Sequence, residues 1–239
     1  MIYLTFLLHF IAAPNTQHVE VPVFKLNFYL MGMDEVDESI TVQIGQNIEY
    51  INQEFEGRIK FELGNLAMDS KQAMIPDLHV SFMEGKSTYV NDLIEPLERG
   101  KGIQIYLFDT YTKAEDQGPM LGFTPVLKAG HKDYAQISPE FDRLYMSYEG
   151  LLDMTTLVHE MGHFLGLSHP WEMTNFNLNM MGLTDKDAAR NHMTYHPEVN
   201  NFSAEQLERM QHFALTFRMY IIDRVEHHLM AYTSAFGAD

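Results

Sequence analysis

His159, Glu160, His163 and His169 stand in one run, HEMGHFLGLSH, spanning residues 159–169. His159 and His163 are four residues apart, so on a helix both imidazoles leave the same face, one turn from each other. From there they can reach a single ion at about 2.0–2.1 Å. Glu160 is rotated about the helix axis from both, which sets its carboxylate beside such an ion as a base toward bound water. Gly166 can take the left-handed conformation that ends a helix and turns the chain. That turn brings His169 back as a third ligand, which a continuing helix would not allow. Three protein nitrogens leave one position of a tetrahedral zinc open, the mark of a catalytic site rather than a structural one. Zinc lowers the pKa of water held there to about 7 and polarises a neighbouring carbonyl. The chemistry expected is hydrolysis of a peptide bond by zinc-activated water, with Glu160 taking the proton and handing it to the leaving amine. The plainer reading is a histidine-rich helix end. It has to accommodate five matched positions on a helix that stops where a glycine allows it to stop.

Elements able to position this run are readable along the chain. Leu152–Leu165 predicts the helix that carries the first two histidines. Upstream, Phe24, Leu26, Phe28 and Leu30 alternate with polar or smaller residues in Val21–Leu30, which predicts a strand. Ile44, Ile48, Ile51 and Phe55 share one face of an amphipathic helix over Thr41–Phe55, ended by Gly57. Ile59–Leu63 and Ile103–Phe108 predict further strands, with Leu144–Tyr148 another candidate. Between them, residues 67–102 carry only a short helical signal near Leu93–Leu97. Leu121–Leu127 predicts a strand at a sheet edge, because Pro125 has no N–H to give a central ladder. An edge there is a candidate for pairing with an extended peptide. His169–Asn201 is irregular and rich in Asn, Met and Gly. Ser203 and Gln206 then form a capping box that opens a long final helix, with Leu207, Met210, Ala214, Phe217 and Ile221 on its apolar stripe. The order predicts one α+β domain split by a cleft.

Composition limits what this domain can do. The chain has 239 residues, enough to bury a sizeable core, and its 46% hydrophobic content is that of a folded protein. A formal net charge of −17, with 16 scattered basic residues, argues against nucleic acid as a partner. No cysteine is present, so a transition-metal site has to use histidines and carboxylates. No segment is long and apolar enough to predict a stable membrane span. Ile2–Ala13 is apolar enough for a signal-peptide core, although no Lys or Arg precedes it and Pro14 follows directly. It reads as that or as an ordered element of the fold. The first alternative makes the protein secreted or extracellular, the localisation expected here.

The longer pattern resembles the zinc signature HExxHxxGxxH of the metzincin metallopeptidases, matched by His159, Glu160, His163, Gly166 and His169. The resemblance covers most of residues 21–220. It implies a metzincin-type zincin: a twisted, mostly parallel sheet, an active-site helix, a Met-turn and a C-terminal helix. It also implies a single catalytic domain over residues 1–239, with an N-terminal subdomain of about 15–166 and a C-terminal one of about 167–239. Zn2+ is the implied cofactor, held by His159, His163 and His169, with Glu160 as catalytic base. A Met-turn methionine beneath the ligands has candidates at Met180/Met181 and at Met193, and Met193 is preferred. Its context, NHMTYHPEVNNFSAEQLERM, is similar to the Met-turn and following helix of pappalysin-like enzymes. Tyr195, two residues on, matches the tyrosine that serralysins and astacins place near zinc, and that likeness implies a role for it in stabilising the tetrahedral intermediate. His169-Pro170 is similar to serralysins, whose glycine-rich calcium repeats are missing here. About His196 to Phe202 would wall the pocket beyond the scissile bond.

The remaining histidines have plainer explanations. His192 and His196 flank Met193 and could line the cleft, but loop histidines are usually just solvated, and His227 and His228 are expected on the polar face of the last helix. The reading is a zinc metalloendopeptidase acting on protein or peptide substrates, working as a monomer. Its rivals are a dedicated toxin or effector protease with one protein target, and a zinc-binding interaction module without catalysis. Intact Glu160 speaks against the last.

Overall fold

A long strand, β1 (Thr16–Met31), runs through the middle of the sheet. In the computed structural model the described residues are 16–70, 101–108, 121–125, 142–170, 182–184, 190–194 and 201–231. Phe24, Leu26, Phe28 and Leu30 are fully buried, as their alternation predicts. Val23, Tyr29 and Met31, on the opposite face, are buried too. Both faces are covered, as in a central strand of a parallel sheet. Strand β2 (Lys60–Asp69) lies parallel to β1, and β3 (Ile103–Phe108) lies parallel to it as well. Every residue of β3 and of β5 (Arg143–Ser147) is buried, and these two strands also pair in parallel.

The sheet ends in β4 (Gly122–Phe123), antiparallel to β5, giving the order β2-β1-β3-β5-β4. The edge position agrees with the reading from Pro125. The strand is only two residues long, shorter than Leu121–Leu127, and residues 126 and 127 lie outside the described set. One further strand is not anticipated by the sequence reading. β6 (Arg224–Ala231) pairs antiparallel with the first half of β1, from Thr16↔Ala231 to Val23↔Arg224. His227 and His228 therefore stand on a strand and not on the last helix.

Helix α1 (Glu38–Glu54) starts three residues before the sequence reading, because the Asp37 carboxylate caps it by accepting from Ser39 N at 2.8 Å. Ile44, Ile51 and Phe55 are buried and Ile48 packs against the core. The chain then turns through Glu56 and Gly57, both with positive φ. The predicted helix over Leu152–Leu165 is in fact two. A short helix, α2 (Tyr148–Leu152), stops at Asp153, whose side chain caps α3 (Met154–Phe164) by accepting from Thr155 N. Cap formation at Asp153 wins over an apolar stripe that reads through it. Asn47 and Gln43 donate to the Leu151 carbonyl at 2.9 and 3.1 Å, tying α1 to the end of α2.

The last helix, α4 (Ala204–Phe217), has the predicted capping box. It ends at Phe217 instead of reaching Ile221, because Arg218 turns inward. The guanidinium donates to Asp142 at 2.6 Å and lies 4.1 Å from the centroid of the Phe164 ring. The result is an α+β fold built on a mostly parallel sheet. Among the described residues, no helix is long and apolar enough to cross a membrane. The predicted short helix near Leu93–Leu97 and the Ile2–Ala13 segment fall outside the described residues.

Candidate metal centre

The C-terminal turn of α3 closes as a Schellman motif. Gly166 N donates to the His163 carbonyl and Leu167 N to the Gly162 carbonyl, each at 2.9 Å. Gly166 has φ +89°, the left-handed region that a residue with a Cβ enters only at a cost. A methyl group there would also stand 2.8 Å from the Phe213 ring. The turn does two things at once. It reverses the chain so that His169 faces the helix it has just left, and it aims the Leu167 carbonyl at His163 Nδ1, 2.9 Å away.

Around that turn three imidazoles converge. His163 Nε2 is 3.0 Å from His169 Nε2, which is 3.3 Å from His159 Nε2. Four ligands at about 2.0–2.1 Å in a tetrahedron would stand about 3.3 Å apart, so the spacing is that of nitrogens around one ion. The tautomers agree. His159 Nδ1 faces the His192 carbonyl at 2.7 Å, and His163 Nδ1 faces that of Leu167. A carbonyl can only accept, so Nδ1 carries the proton in both rings and each Nε2 is left with a lone pair pointing at the shared centre. Outer partners of this kind orient ligating histidines. Burial, then the neighbouring His163 charge, lowers the His159 pKa to about 4, which keeps the ring in its neutral, ligating form. Among the described residues, these three histidines form the group that could hold a metal ion. An all-imidazole set of three is one that zinc takes in catalytic sites, and the chain has no cysteine to add a thiolate.

Glu160 is not in that group. It is buried between α3 and the sheet edge, where Thr124 Oγ1 donates to its Oε2 at 2.7 Å. Burial raises the Glu160 pKa to about 7, against the lowering effect of the Thr124 hydrogen bond. Strand β4 crosses directly over this carboxyl. A Cβ on Gly122 would lie 2.7 Å from Glu160 Cγ and 2.9 Å from Oε1, so only glycine lets the edge come so close.

Met193 is fully buried, with its sulfur against the backbone of Gly162, between the two helical histidines. A methyl group on Gly162 would collide with Met193 Sδ. The turn that carries Met193 is held from its flanks. Asn191 Oδ1 accepts from Met193 N at 3.1 Å, and Asn191 and Gln206 exchange reciprocal amide hydrogen bonds at 2.7 and 3.0 Å. Gln206 is the same residue that completes the capping box of α4.

His192 corrects an expectation. It is not a solvated loop residue: it is 1% exposed, and its Nε2 is 2.7 Å from Glu54 Oε2. Thr124, Gly122, Gly162 and Glu54 are absent from the sequence reading as well. Gly162 alone had a local signal, since a glycine inside a helix costs about 1 kcal/mol relative to alanine and usually has a packing reason. Tyr195, His196, Met180 and Met181, with the proposed pocket wall as far as residue 200, lie outside the described residues.

No protein-family model matches the chain, and no curated protein matches it. Among solved structures, the chain is similar to metalloproteinase-II from Bacteroides fragilis, with 19% identity and a TM-score of 0.49 over 80% of this chain and 53% of that one. It is similar to an archaemetzincin from Methanopyrus kandleri, with 14% identity and a TM-score of 0.44 over 80% of this chain and 96% of that one. A chain in a chaperone–substrate complex aligns at 14% identity and a TM-score of 0.50, over 84% of this chain and 35% of that one. This chain thus spans about half of the Bacteroides protein and about a third of the last. Likeness at such identities concerns the fold alone.

Proposed function

We propose that this chain is a zinc-dependent endopeptidase of metzincin type. The observation that carries the reading is the convergence of three Nε2 lone pairs, with the buried carboxyl of Glu160, the residue next to His159 on the same helix, held under a sheet edge. His159, His163 and His169 would hold the ion. When bound, zinc would supply Lewis-acid polarisation of the scissile carbonyl and a water acidic enough to react near neutral pH.

The chain's own groups do the rest. Glu160 accepts the proton of the attacking water at its carboxylate and releases it to the leaving nitrogen. A base with pKa near the working pH can do both. Thr124 holds Oε2, which leaves Oε1 as the oxygen that moves the proton. β4 offers backbone hydrogen bonds to an extended substrate along its outer edge and aligns the scissile bond with the site. Tyr195 would donate its hydroxyl to the oxyanion, and Met193 would support the ligands from beneath. Both roles come from the metzincin resemblance.

The test is cleavage of a mixed peptide library by the purified protein, with and without a chelator, beside a Glu160→Ala variant. Broad cleavage that the chelator removes is the expected result. Glu160→Ala should keep zinc and lose about 10²–10⁴-fold in turnover or more. Turnover near wild type in that variant would overturn the assignment of the base. Zinc bound without any cleavage would favour an interaction module, and cleavage of one protein only would favour a dedicated effector.

A further inference from the structure

Glu54 closes α1, 138 positions before His192 in the chain, yet the two meet at 2.7 Å. The His192 ring is buried, and among the described residues its Nδ1 has no hydrogen-bond partner, so the ring is fixed through Nε2 by Glu54. Aromatic neighbours confine the ring without hydrogen bonds. Phe202 stands 4.8 Å away by centroid and Tyr50, one turn before Glu54, meets it edge-on at 6.5 Å. The main-chain carbonyl of this same residue accepts from His159 Nδ1 at 2.7 Å.

We propose that Glu54 and His192 form a positioning pair for the metal centre. The carboxylate at the end of α1 fixes the His192 side chain, and through it the peptide carbonyl that orients His159. The pair acts through His159 and touches neither ion nor substrate, and the inference rests on the reading of the three histidines as metal ligands. A core role alone does not account for the arrangement, because the turn already has an anchor on its other side. Asn191 holds Met193 N and Thr194 N, and Gln206 holds Asn191. Without Glu54 the turn therefore persists, and the peptide unit whose carbonyl faces His159 keeps its Asn191 bond at Met193 N but loses the fixed side chain on its other flank. The measurable consequence is a looser His159 and weaker metal binding in a folded protein.

The experiment measures the zinc dissociation constant by competition with a chromophoric chelator, on the full chain and on Glu54→Ala, Glu54→Gln and Glu54→Asp. Visible absorption of the cobalt-substituted proteins reports the ligand geometry, and circular dichroism of the metal-free proteins reports folding. Loss of an outer partner to a ligating histidine typically costs 10–100-fold in metal affinity. Glu54→Ala keeps that partner but loosens it, so a loss of about 10-fold, the low end of that range, is expected with an altered cobalt spectrum. Gln has the same length and its Oε1 can accept from His192 Nε2–H, so it should restore most of the affinity. Asp is one methylene too short and should not. A folded Glu54→Ala that binds zinc about as tightly as wild type, with an unchanged cobalt spectrum, overturns the proposal. Should Glu54→Ala fail to fold, Asp binding zinc as tightly as Gln overturns it instead. Failure of the wild-type chain to bind zinc would sink the underlying metal reading, a different and separable outcome.

Discussion

His159 and His163 are held by the same device, a main-chain carbonyl at Nδ1, yet the two carbonyls come from opposite ends of the distance scale. For His163 the acceptor is Leu167, four residues on, delivered by the Schellman turn at the end of α3. For His159 it is His192, 33 residues on, delivered by a turn packed between α1 and α4. One ligand is oriented by local backbone geometry, which the run of residues itself dictates. The other is oriented only after three separate parts of the chain have docked. The site is therefore half motif and half tertiary structure, and the two halves should fail in different ways.

The most severe break is removal of a ligand. His163→Ala should abolish stoichiometric zinc, measured by metal analysis after dialysis, because two imidazoles cannot replace three. Stoichiometric zinc retained after all three histidines are replaced would place the metal elsewhere and dissolve the comparison.

The long-range half is tested through Met193. It is fully buried against Gly162, and Met193→Ala leaves a hole between the turn and the helix. A loss of about 2–5 kcal/mol is expected for a buried Met→Ala change, read by denaturant unfolding of the metal-free protein. Unfolding at the wild-type midpoint would mean that the turn does not lean on that side chain.

The local half answers to Gly166, with the smallest expected effect. Gly166→Ala forces a Cβ into left-handed backbone and against Phe213. The backbone strain costs about 1–3 kcal/mol, and the shifted Leu167 carbonyl should loosen His163 and weaken zinc binding. A variant as stable as wild type, with undiminished zinc affinity, would show that the turn survives without glycine and that His163 does not depend on it.

The same division explains which parts of the molecule were legible beforehand. The Ser203–Gln206 capping box is a local arrangement and stands where the sequence places it. Strands β1 and β3 follow from their apolar runs. Asp153 is a cap whose signal lay in the sequence but was outweighed by the apolar residues around it, so α2 and α3 read as one helix. β6 is a different matter. Nothing local says that Arg224–Ala231 must pair with Thr16–Val23, some 200 positions away, and its histidines read equally well on a helix. His192 had the same problem: a histidine in an irregular segment reads as solvated until Glu54 and Phe202 are found around it.

What the sequence determined by itself is the eleven-residue device: helix, glycine turn, and the order of three imidazoles and one carboxylate along it. Helical spacing and the left-handed freedom of Gly166 are short-range steric facts, complete within a few residues of chain. Tertiary structure alone decided which carbonyl faces His159, that Glu160 is buried under the sheet edge deeply enough to raise its pKa, and that Met193 lies against Gly162. Those outcomes depend on burial and on contacts between segments far apart in the chain, and neither is set until the whole core has packed.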